Sequence, residues 1–405
     1  MSSTVSAEAL GARLDELLER RTEANRRFFT AEAERVARLC RQMAERFTRG
    51  GRLVAFGASP QARSDVRHVA VEFVHPVIVG KRALPAIGFA REGGSLASQV
   101  DLIAEPDDMA IAFGADEGSE DTSAALTVAR DRGCLTIAFA PAGAEWEFEP
   151  PSDDPFVRQE LAETLYHVLW ELVHVFFEHM GTSAAGAGAS SFLYPFLVSQ
   201  EHDLEAVIDD VRRSVLMKAR EVADLRAQTL TEGRPELAAA AATVRQVLEA
   251  GAKLLAFGNG GSATDAMDVV ADFHVSPQGW ARRRALNLTE DSAILTALAN
   301  DIGPEVLFQR QVIAYGRPGD VAVALSTSGN SANIIEALAE ARRRGLATVA
   351  MVGYDGGRVA AEGLADHVVV SRSQHIPRIQ EAQASAYHVL RELVELATEE
   401  AGSRG

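Results

Sequence analysis

Residues 252–258 read Ala-Lys-Leu-Leu-Ala-Phe-Gly, and residues 258–262 continue as Gly-Asn-Gly-Gly-Ser before a helical stretch. A short, continuous apolar run that ends in glycines is typical of a buried parallel strand followed by a tight turn into a helix. Further apolar runs occur at 321–325 and 348–352, and helical segments separate them. The pattern predicts a three-layer α/β domain, with helices on both faces of a mainly parallel sheet.

The first half of the chain repeats this pattern. Residues 51–57 read Gly-Arg-Leu-Val-Ala-Phe-Gly and correspond to 252–258, and the tetrapeptide Tyr-His-Val-Leu occurs at 166–169 and again at 387–390. An ordered series of such matches indicates a tandem duplication with diverged copies. The apolar runs of the first copy lie at 53–56, 109–113 and 136–140.

The repeat boundaries predict two domains, at 1–180 and 203–405. The segment 181–202 between them begins with many Gly, Ala and Ser residues, a composition that favours a flexible linker. Each domain is expected to open with amphipathic helical sequence, at about 7–49 and about 203–250.

Composition and charge limit the function classes. The chain has 405 residues, 47% hydrophobic and 24% charged, which is ordinary for a globular protein. A net charge of −17 argues against direct binding of nucleic acid. With only Cys40 and Cys134, neither a disulfide framework nor a cysteine-rich metal site is expected. Since no segment suits a signal peptide or a membrane span, we predict a cytoplasmic protein without membrane contacts.

Two loops of the second copy suit a phosphate group. The first is 258–262, and the second, Ser-Thr-Ser-Gly-Asn-Ser at 326–331, also lies between an apolar run and a helical stretch. Glycines let backbone N–H groups approach an anion, hydroxyls donate further hydrogen bonds, and the helix amino terminus favours negative charge. Two such loops in one domain favour phosphate binding over tight turns alone.

These two loops together resemble the sugar isomerase (SIS) domain of phosphoheptose isomerases, which convert sedoheptulose 7-phosphate to a heptose 7-phosphate. The resemblance covers about 203–397 and includes Leu-Ala-Asn-Asp at 298–301 and Arg-Ile-Gln-Glu at 378–381. It implies two tandem SIS domains of α/β class, each an α/β/α sandwich with a mainly parallel, flavodoxin-like, five-stranded sheet and amino-terminal helices. It also implies a phosphorylated sugar as ligand, no nucleotide cofactor, and a homodimer that contains four SIS domains.

The resemblance further implies a set of substrate-binding residues in the second copy. They are Asn259, Gly260, Gly261, Ser262, Asn300, Asp301, Ser326, Thr327, Ser328, Ser331 and Gln380.

The resembled isomerases also carry zinc on a His and a Glu four residues apart, together with a Gln and a His eight apart. The first copy has all four residue types at these positions: His68, Glu72, Gln159 and His167. The second copy keeps the later pair but has aspartates at the earlier positions: Asp268, Asp272, Gln380 and His388. The first copy lacks the phosphate loops, since Asp116 and Glu117 stand where the second copy offers hydroxyls.

Three hypotheses follow for the function. In the first, the second copy binds the sugar phosphate while the first copy supplies zinc, with Glu72 and His167 as acid and base. In the second, the chemistry belongs to the second copy, through His388, Asp272 and Asp301. In the third, the protein binds a sugar phosphate without turnover and acts as a sensor, regulator or scaffold.

Overall fold

The computed structural model describes residues 7–75, 81–114, 119–181 and 204–402. The chain divides into two compact units, each of which holds one sheet. Unit N consists of Ala24–Ser152 and Leu161–Arg220. Unit C consists of Met1–Glu23, Asp153–Glu160 and Glu221–Gly405. The predicted linker at 181–202 lies outside the described residues except for Gly181, and the predicted domain bounds 1–180 and 203–405 stay a prediction.

Three long helices contribute residues to both units. They are α1 (Ala7–Thr48), α5 (Pro155–Gly181) and α6 (Leu204–Glu232). The first turns of α5 therefore belong to unit C, although α5 lies in the first half of the sequence. Of the helices in the described part of the chain, none combines the length and the apolar composition that a membrane span needs.

The remaining elements of unit N alternate between strands and helices. In chain order they are β1 (Leu53–Phe56), α2 (Pro60–Val74), β2 (Ala86–Phe89), α3 (Leu96–Ile103), β3 (Met109–Ala112), α4 (Glu120–Asp131), β4 (Leu135–Ala138) and β5 (Trp146–Glu147).

Unit C follows the same alternation, with a 3-10 turn at Pro304–Val306. Its elements are α7 (Arg234–Glu249), β6 (Leu254–Phe257), α8 (Gly261–His274), β7 (Ala285–Asn287), α9 (Ser292–Asp301), α10 (Leu307–Tyr315), β8 (Val321–Ser326), α11 (Ala332–Arg343), β9 (Ala347–Gly353), α12 (Gly357–Ala361), β10 (His367–Ser371) and α13 (Ile376–Gly402).

Both units contain a parallel five-stranded sheet, as predicted. The strand order is β2-β1-β3-β4-β5 in unit N and β7-β6-β8-β9-β10 in unit C, which is the flavodoxin-like order in each case. The corresponding strands β1 and β3 in unit N and β6 and β8 in unit C pair in the same register. Leu53 pairs with Met109, and Leu254 pairs with Val321. The predicted fold class is therefore confirmed.

The sheet of unit C is buried on both faces. Leu254 and Ala256 belong to a hydrophobic cluster that includes residues of α1, α7, α8 and α13. Leu255 and Phe257 belong to a second cluster, with residues of α10 and α11. Alternate side chains of a strand point to opposite faces, so a strand between two helical layers is apolar throughout. This explains the continuous apolar run at 254–257.

The predicted helical stretch at 203–250 is two helices, α6 and α7. The break falls at Gly233, immediately before the Arg-Pro pair that starts α7. A Cβ on Gly233 would lie 2.5 Å from the carbonyl oxygen of Thr229, so only glycine fits there. Pro235 lacks a backbone N–H and is tolerated in the first helical turn, where that donor has no partner in the helix.

Candidate active site and candidate metal centre

The first predicted phosphate loop, 258–262, joins β6 to α8. Gly260 has φ of 57°, in the left-handed region that favours glycine, and α8 begins at the next residue. A Cβ on Gly258 would lie 2.2 Å from the carbonyl oxygen of Ser262, so the loop folds tightly against the start of the helix. The first turn of α8, which includes the buried Ser262, therefore begins at the carboxyl end of β6. Ligands bind at this edge in parallel sheets.

The second predicted loop, 326–331, joins β8 to α11. The hydroxyl of Ser326 accepts a hydrogen bond from the N–H of Gly329 at 3.1 Å, and that of Ser328 accepts one from the N–H of Asn330 at 3.2 Å. Ser331 is the N-cap residue of α11, yet its side chain makes no capping hydrogen bond. These serines therefore surround the amino terminus of α11, where an anion is favoured.

A pair of asparagines joins the two loops. The side-chain amide of Asn259 donates to Asn333 at 3.0 Å, and the amide of Asn333 donates back at 2.9 Å. Because β6 and β8 are neighbours in the sheet, their carboxyl ends lie side by side. Asn333 was missed by the sequence analysis, although its position in the first turn of α11 places it beside the second loop.

The structure places Asn300 and Asp301 in the last turn of α9. Both are exposed, and the amide of Asn300 donates to the carboxylate of Asp301 at 2.7 Å. Their predicted contact with substrate stays a prediction. Gln380, another predicted substrate residue, is buried near the start of α13.

A buried ionic cluster lies about two turns beyond the start of α8. Asp268 and Asp272 are one turn apart on α8, and His388 comes from α13. The Nε2 atom of His388 lies 3.4 Å from Oδ2 of Asp268 and 3.5 Å from Oδ2 of Asp272. All three side chains are buried. The structure thus brings together two of the predicted acid–base residues, Asp272 and His388.

The first turns of α5 complete this cluster with two side chains. Glu160, which the sequence analysis missed, accepts a hydrogen bond from Nδ1 of His388 at 3.0 Å. It also accepts from Arg21 Nε at 2.9 Å and from the hydroxyl of Ser385 at 2.6 Å. The amide of Gln159 donates to Asp268 at 3.0 Å. Both ring nitrogens of His388 therefore face carboxylates.

The electrostatics of the cluster favour a protonated imidazole. Burial alone would lower the pKa of His388, but hydrogen bonds to Asp268 and Glu160 and the charge of Asp272 raise that pKa to about 10. Burial alone would raise the pKa of Glu160, but Arg21, His388 and Arg226 hold it well below its usual range. These surroundings favour an imidazolium that contacts Glu160 through Nδ1 and faces Asp268 and Asp272 with Nε2.

Protein groups already surround the ligand atoms of this cluster, although Asp268, Asp272 and His388 each place one such atom within 4.8 Å of the others. Both ring nitrogens of His388 are directed at carboxylates, whereas a zinc ligand must offer an unprotonated imidazole nitrogen. Asp268 accepts hydrogen bonds from Gln159 and from the hydroxyl of Tyr387, the latter at 2.9 Å. Arg21 and Arg226 lie next to Glu160, so protein side chains supply the positive charge beside that carboxylate.

The phosphate loops and the ionic cluster share two helices. α8 starts at the first loop and carries Asp268 and Asp272. α13 carries His388, and its Gln383 side chain donates to the carbonyl oxygen of Ser326 in the second loop at 3.4 Å. One unit therefore holds both the two loops and the ionic cluster.

Unit N has a different cluster at the corresponding helices, α2 and α5. The Nε2 atoms of His68 and His167 lie 3.3 Å apart. Glu72 Oε1 lies 3.9 Å from Nε2 of His68, and Glu163 Oε1 lies 4.0 Å from its Nδ1. All four side chains are buried. Two imidazoles and two carboxylates form a donor set that fits zinc.

The structure brings together three of the four predicted metal ligands of the first copy. His68, Glu72 and His167 lie in the cluster, while the side chain of Gln159 donates to Asp268 in unit C, and its predicted role as a metal ligand stays a prediction. Glu163, which was not predicted, also lies in the cluster. Its spacing, four residues before His167 on one helix face, is the sequence signal that would have identified it.

The loops of unit N differ from those of unit C. The hydroxyl of Ser59 accepts a hydrogen bond from the N–H of Ala62 at 3.0 Å and so caps α2. Ser119 caps α4 in the same way. Asp116 and Glu117, expected to repel a phosphate, lie outside the described residues.

Comparison with known proteins places this chain in a family. Residues 219–353 match the family model of the SIS domain. The phosphoheptose isomerase of Chlorobium phaeobacteroides is 42% identical over 196 residues, which are 47% of this chain and 82% of that protein. The phosphoheptose isomerase of Aquifex aeolicus is 45% identical over 157 residues, which are 38% of this chain and 81% of that protein.

A solved structure shares the fold over nearly the whole chain. The C-terminal domain of glucosamine-fructose-6-phosphate aminotransferase from Francisella tularensis has a TM-score of 0.60 at 10% identity, and the match covers 98% of each chain. This likeness supports the two-sheet α/β architecture, and the sequence matches to the two isomerases confirm the resemblance drawn from the loops. The chain belongs to the phosphoheptose isomerase family of SIS-domain proteins.

Proposed function

We propose that unit C binds a phosphorylated sugar and interconverts its aldose and ketose forms by proton transfer. One observation carries this proposal: two phosphate-suited loops and a buried cluster of acid–base groups are joined by the same two helices, α8 and α13. The family supports it, since the matched relatives are named phosphoheptose isomerases. We therefore take sedoheptulose 7-phosphate as the substrate to test.

The loops supply the phosphate site. The amino termini of α8 and α11 meet at the carboxyl edge of the sheet, where unpaired backbone N–H groups and the helix dipoles favour an anion. Ser328 and Ser331 add hydroxyl donors. The Asn259–Asn333 pair holds the two loops at a constant separation.

The reacting carbons would lie farther along α8. Seven residues of helix, from Gly261 to Asp268, rise by about 10 Å. Side chains of a helix tilt toward its amino terminus, so the carboxylates of Asp268 and Asp272 are directed back toward the loops. An extended sugar bound by its phosphate at the helix start would therefore reach the ionic cluster with its carbonyl end.

The cluster contains the groups that an aldose–ketose isomerisation needs. Asp272 would take the proton from the carbon next to the carbonyl and return it to the former carbonyl carbon. His388, as an imidazolium, would protonate the carbonyl oxygen as the enediol forms and then take the proton of the neighbouring hydroxyl, so that one proton moves between the carbons and one between the oxygens. Glu160 would keep the imidazolium oriented through Nδ1, and is a positioning residue.

Turnover of sedoheptulose 7-phosphate, measured together with binding of the sugar phosphate by calorimetry, tests this proposal. We expect His388→Ala to lower kcat by about 100-fold or more, with binding retained. Ser328→Ala should weaken binding, and His167→Ala in unit N is the matched control that should keep both.

Other outcomes would overturn the assignment. Loss of turnover in His167→Ala but not in His388→Ala would assign the chemistry to the first copy, with Glu72 and His167. Tight binding without any turnover in the wild-type protein would indicate a sensor, regulator or scaffold.

We further propose that the protein is a homodimer, as the four-domain assembly implied by the family resemblance requires. Light scattering coupled to gel filtration should give twice the mass of one chain. A monomer at micromolar concentration would contradict this proposal.

A further inference from the structure

We infer that unit N has an anion site of its own, formed by Arg63 and Arg67 of α2, in which the carboxylate of Glu92 lies in this structure. The ligand that fits is a phosphate dianion, which replaces this carboxylate. The inference is independent of the proposed function, because the site uses neither the two loops nor the ionic cluster of unit C.

Glu92 lies where an incoming anion would bind. Its Oε1 atom accepts a hydrogen bond from Nη2 of Arg67 at 2.6 Å and lies 3.5 Å from Nε of Arg63. Its Oε2 atom accepts a hydrogen bond from the backbone N–H of Ala90 at 3.1 Å. Two guanidinium groups and one backbone N–H thus contact a single carboxylate. A guanidinium binds carboxylate and phosphate oxygens through the same fork of N–H donors, so this arrangement suits either group.

The site lies at the carboxyl end of β2, on the edge where parallel sheets bind ligands. Arg63 and Arg67 are one turn apart on α2, so they share one face of the helix. This helix packs closely on β2, since a Cβ on Gly88 would lie 2.8 Å from Cγ1 of Val66. The close packing places Arg67 beside the strand, where its Nη1 atom donates to the carbonyl oxygen of Gly88 at 3.5 Å.

The loop after β2 turns the glutamate back toward the end of the strand. Arg91 has φ of 71°, in the left-handed region that is uncommon for residues other than glycine. The N–H of Gly94 donates to the carbonyl oxygen of Arg91 at 3.3 Å and closes the turn. A strained backbone of this kind is concentrated at ligand-binding and switch segments. Rotation of the Glu92 side chain alone would leave both arginines to a ligand.

Replacement of the carboxylate by phosphate is favoured for two reasons. The side chains of Arg63, Arg67 and Glu92 are 35%, 41% and 45% exposed, so solvent ions reach them and their mutual ion pairs contribute little to stability. A phosphate dianion carries more charge and one more free oxygen than a carboxylate, so both guanidinium groups can form paired hydrogen bonds to it. A weak internal partner is thus exchanged for a stronger external one.

The basic pair belongs to unit N alone. On α8 of unit C, the positions that match Arg63 and Arg67 hold the uncharged residues Ala263 and Met267. The two copies therefore differ in where they favour an anion. Unit C favours it at the starts of α8 and α11, whereas unit N favours it between α2 and the end of β2.

Binding of inorganic phosphate to the full chain, measured by equilibrium dialysis with radiolabelled phosphate, tests the inference. Arg67→Gln should bind one phosphate ion fewer per chain than wild type, because its affinity at this site falls by about 10-fold or more. Glu92→Gln should bind the same ion about 5-fold more tightly, because the competing carboxylate is neutralised. Arg63→Gln repeats the first experiment if Arg67→Gln does not fold.

An exposed ion pair on α1 supplies matched controls. Arg38 is 42% exposed and donates to Glu34, away from the edge of the sheet. Arg38→Gln and Glu34→Gln make the same changes in net charge and should alter phosphate affinity by less than about twofold. Equal phosphate binding by wild type and both arginine variants, or no gain in Glu92→Gln, would overturn the site. Because turnover is not measured, a protein that binds no phosphate in unit C would still lose its ion in Arg67→Gln.

Discussion

Each unit holds a cluster of buried ionisable side chains between two helices. These helices are α2 and α5 in unit N, and α8 and α13 in unit C. In unit N the set is His68, Glu72, Glu163 and His167. In unit C the first two positions hold Asp268 and Asp272, the third holds Ala384, and only the last keeps its imidazole, His388. The same framework therefore surrounds two imidazoles in one unit and a single imidazole in the other.

That difference changes what each cluster can bind. Two facing imidazoles offer nitrogen lone pairs to a metal ion, provided that carboxylates balance its charge. A single imidazole between carboxylates takes up a proton instead, and its pKa rises. The second imidazole is thus the difference between the two clusters that bears most directly on metal binding.

Unit C also obtains a carboxylate from elsewhere in the sequence. Ala384 occupies the position in unit C that Glu163 has in unit N. Glu160, from the start of α5, supplies a carboxylate instead, and this carboxylate contacts Nδ1 of His388. Arg21 and Arg226 then compensate Glu160. A side chain from the first half of the sequence therefore completes the buried cluster of unit C.

The strongest way to sharpen this comparison is to give unit C the early ligands of unit N. Asp268→His combined with Asp272→Glu restores the residue types that the family has at these positions. We expect the zinc content to rise by about one ion per chain relative to wild type, because a second imidazole becomes available beside His388. Metal analysis after dialysis against zinc measures the change.

The reverse exchange is the control for that experiment. His68→Asp combined with Glu72→Asp should not raise the zinc content above that of wild type, because it adds no imidazole to either cluster. If the double variant in unit C folds but its zinc content stays at the wild-type value, the missing imidazole does not explain the difference between the clusters.

A smaller effect is expected when the contributed carboxylate is neutralised. Glu160→Gln leaves His388 and Arg21 without their shared buried partner, and breaking a buried ion pair on one side typically costs about 3–5 kcal/mol. The free energy of unfolding from urea titration should fall by about this amount. Glu221→Gln, at an exposed position of α6, should change it by less than about 0.5 kcal/mol. Equal effects of the two substitutions would show that Glu160 has no special role in unit C.

Much of the fold could be predicted from the sequence, because local patterns determine it. The runs at 53–56 and 254–257 are strands with the predicted bounds, since each is a continuous apolar segment next to glycine. The two loops at 258–262 and 326–331 were predicted where such an apolar segment leads through glycine and serine residues into a helix. The break at Gly233 was missed because it depends on the close approach of the Thr229 carbonyl, which helical periodicity does not reveal.

The candidate sites were only partly predictable, because their partners are distant in sequence. His68, Glu72 and His167 were identified by spacing on single helices. Glu160 could not be identified, since its partner His388 lies 228 residues away. The packing of unit C directs the side chain of Gln159 to Asp268. The spacing of residues along α5 does not reveal that direction.

The last expected effect is a difference in how stability depends on pH. His388 has a raised pKa in the folded protein, about 10 against 6.5 for the unperturbed group. Its contribution to stability is therefore complete below about pH 6.5 and is lost as the pH rises through about 10, because the unfolded chain releases this proton first. Glu160, Asp268 and Asp272 face the ring from α5 and α8, so all three carboxylates contribute to the shift.

Urea titrations of the wild-type protein between pH 6 and 10 should show this fall in the free energy of unfolding. His388→Asn should lack that part of it, because the side chain no longer titrates. Parallel curves for the two proteins would mean that His388 is not protonated in unit C. The distinction between an acid–base cluster in unit C and a metal-type cluster in unit N would then fail.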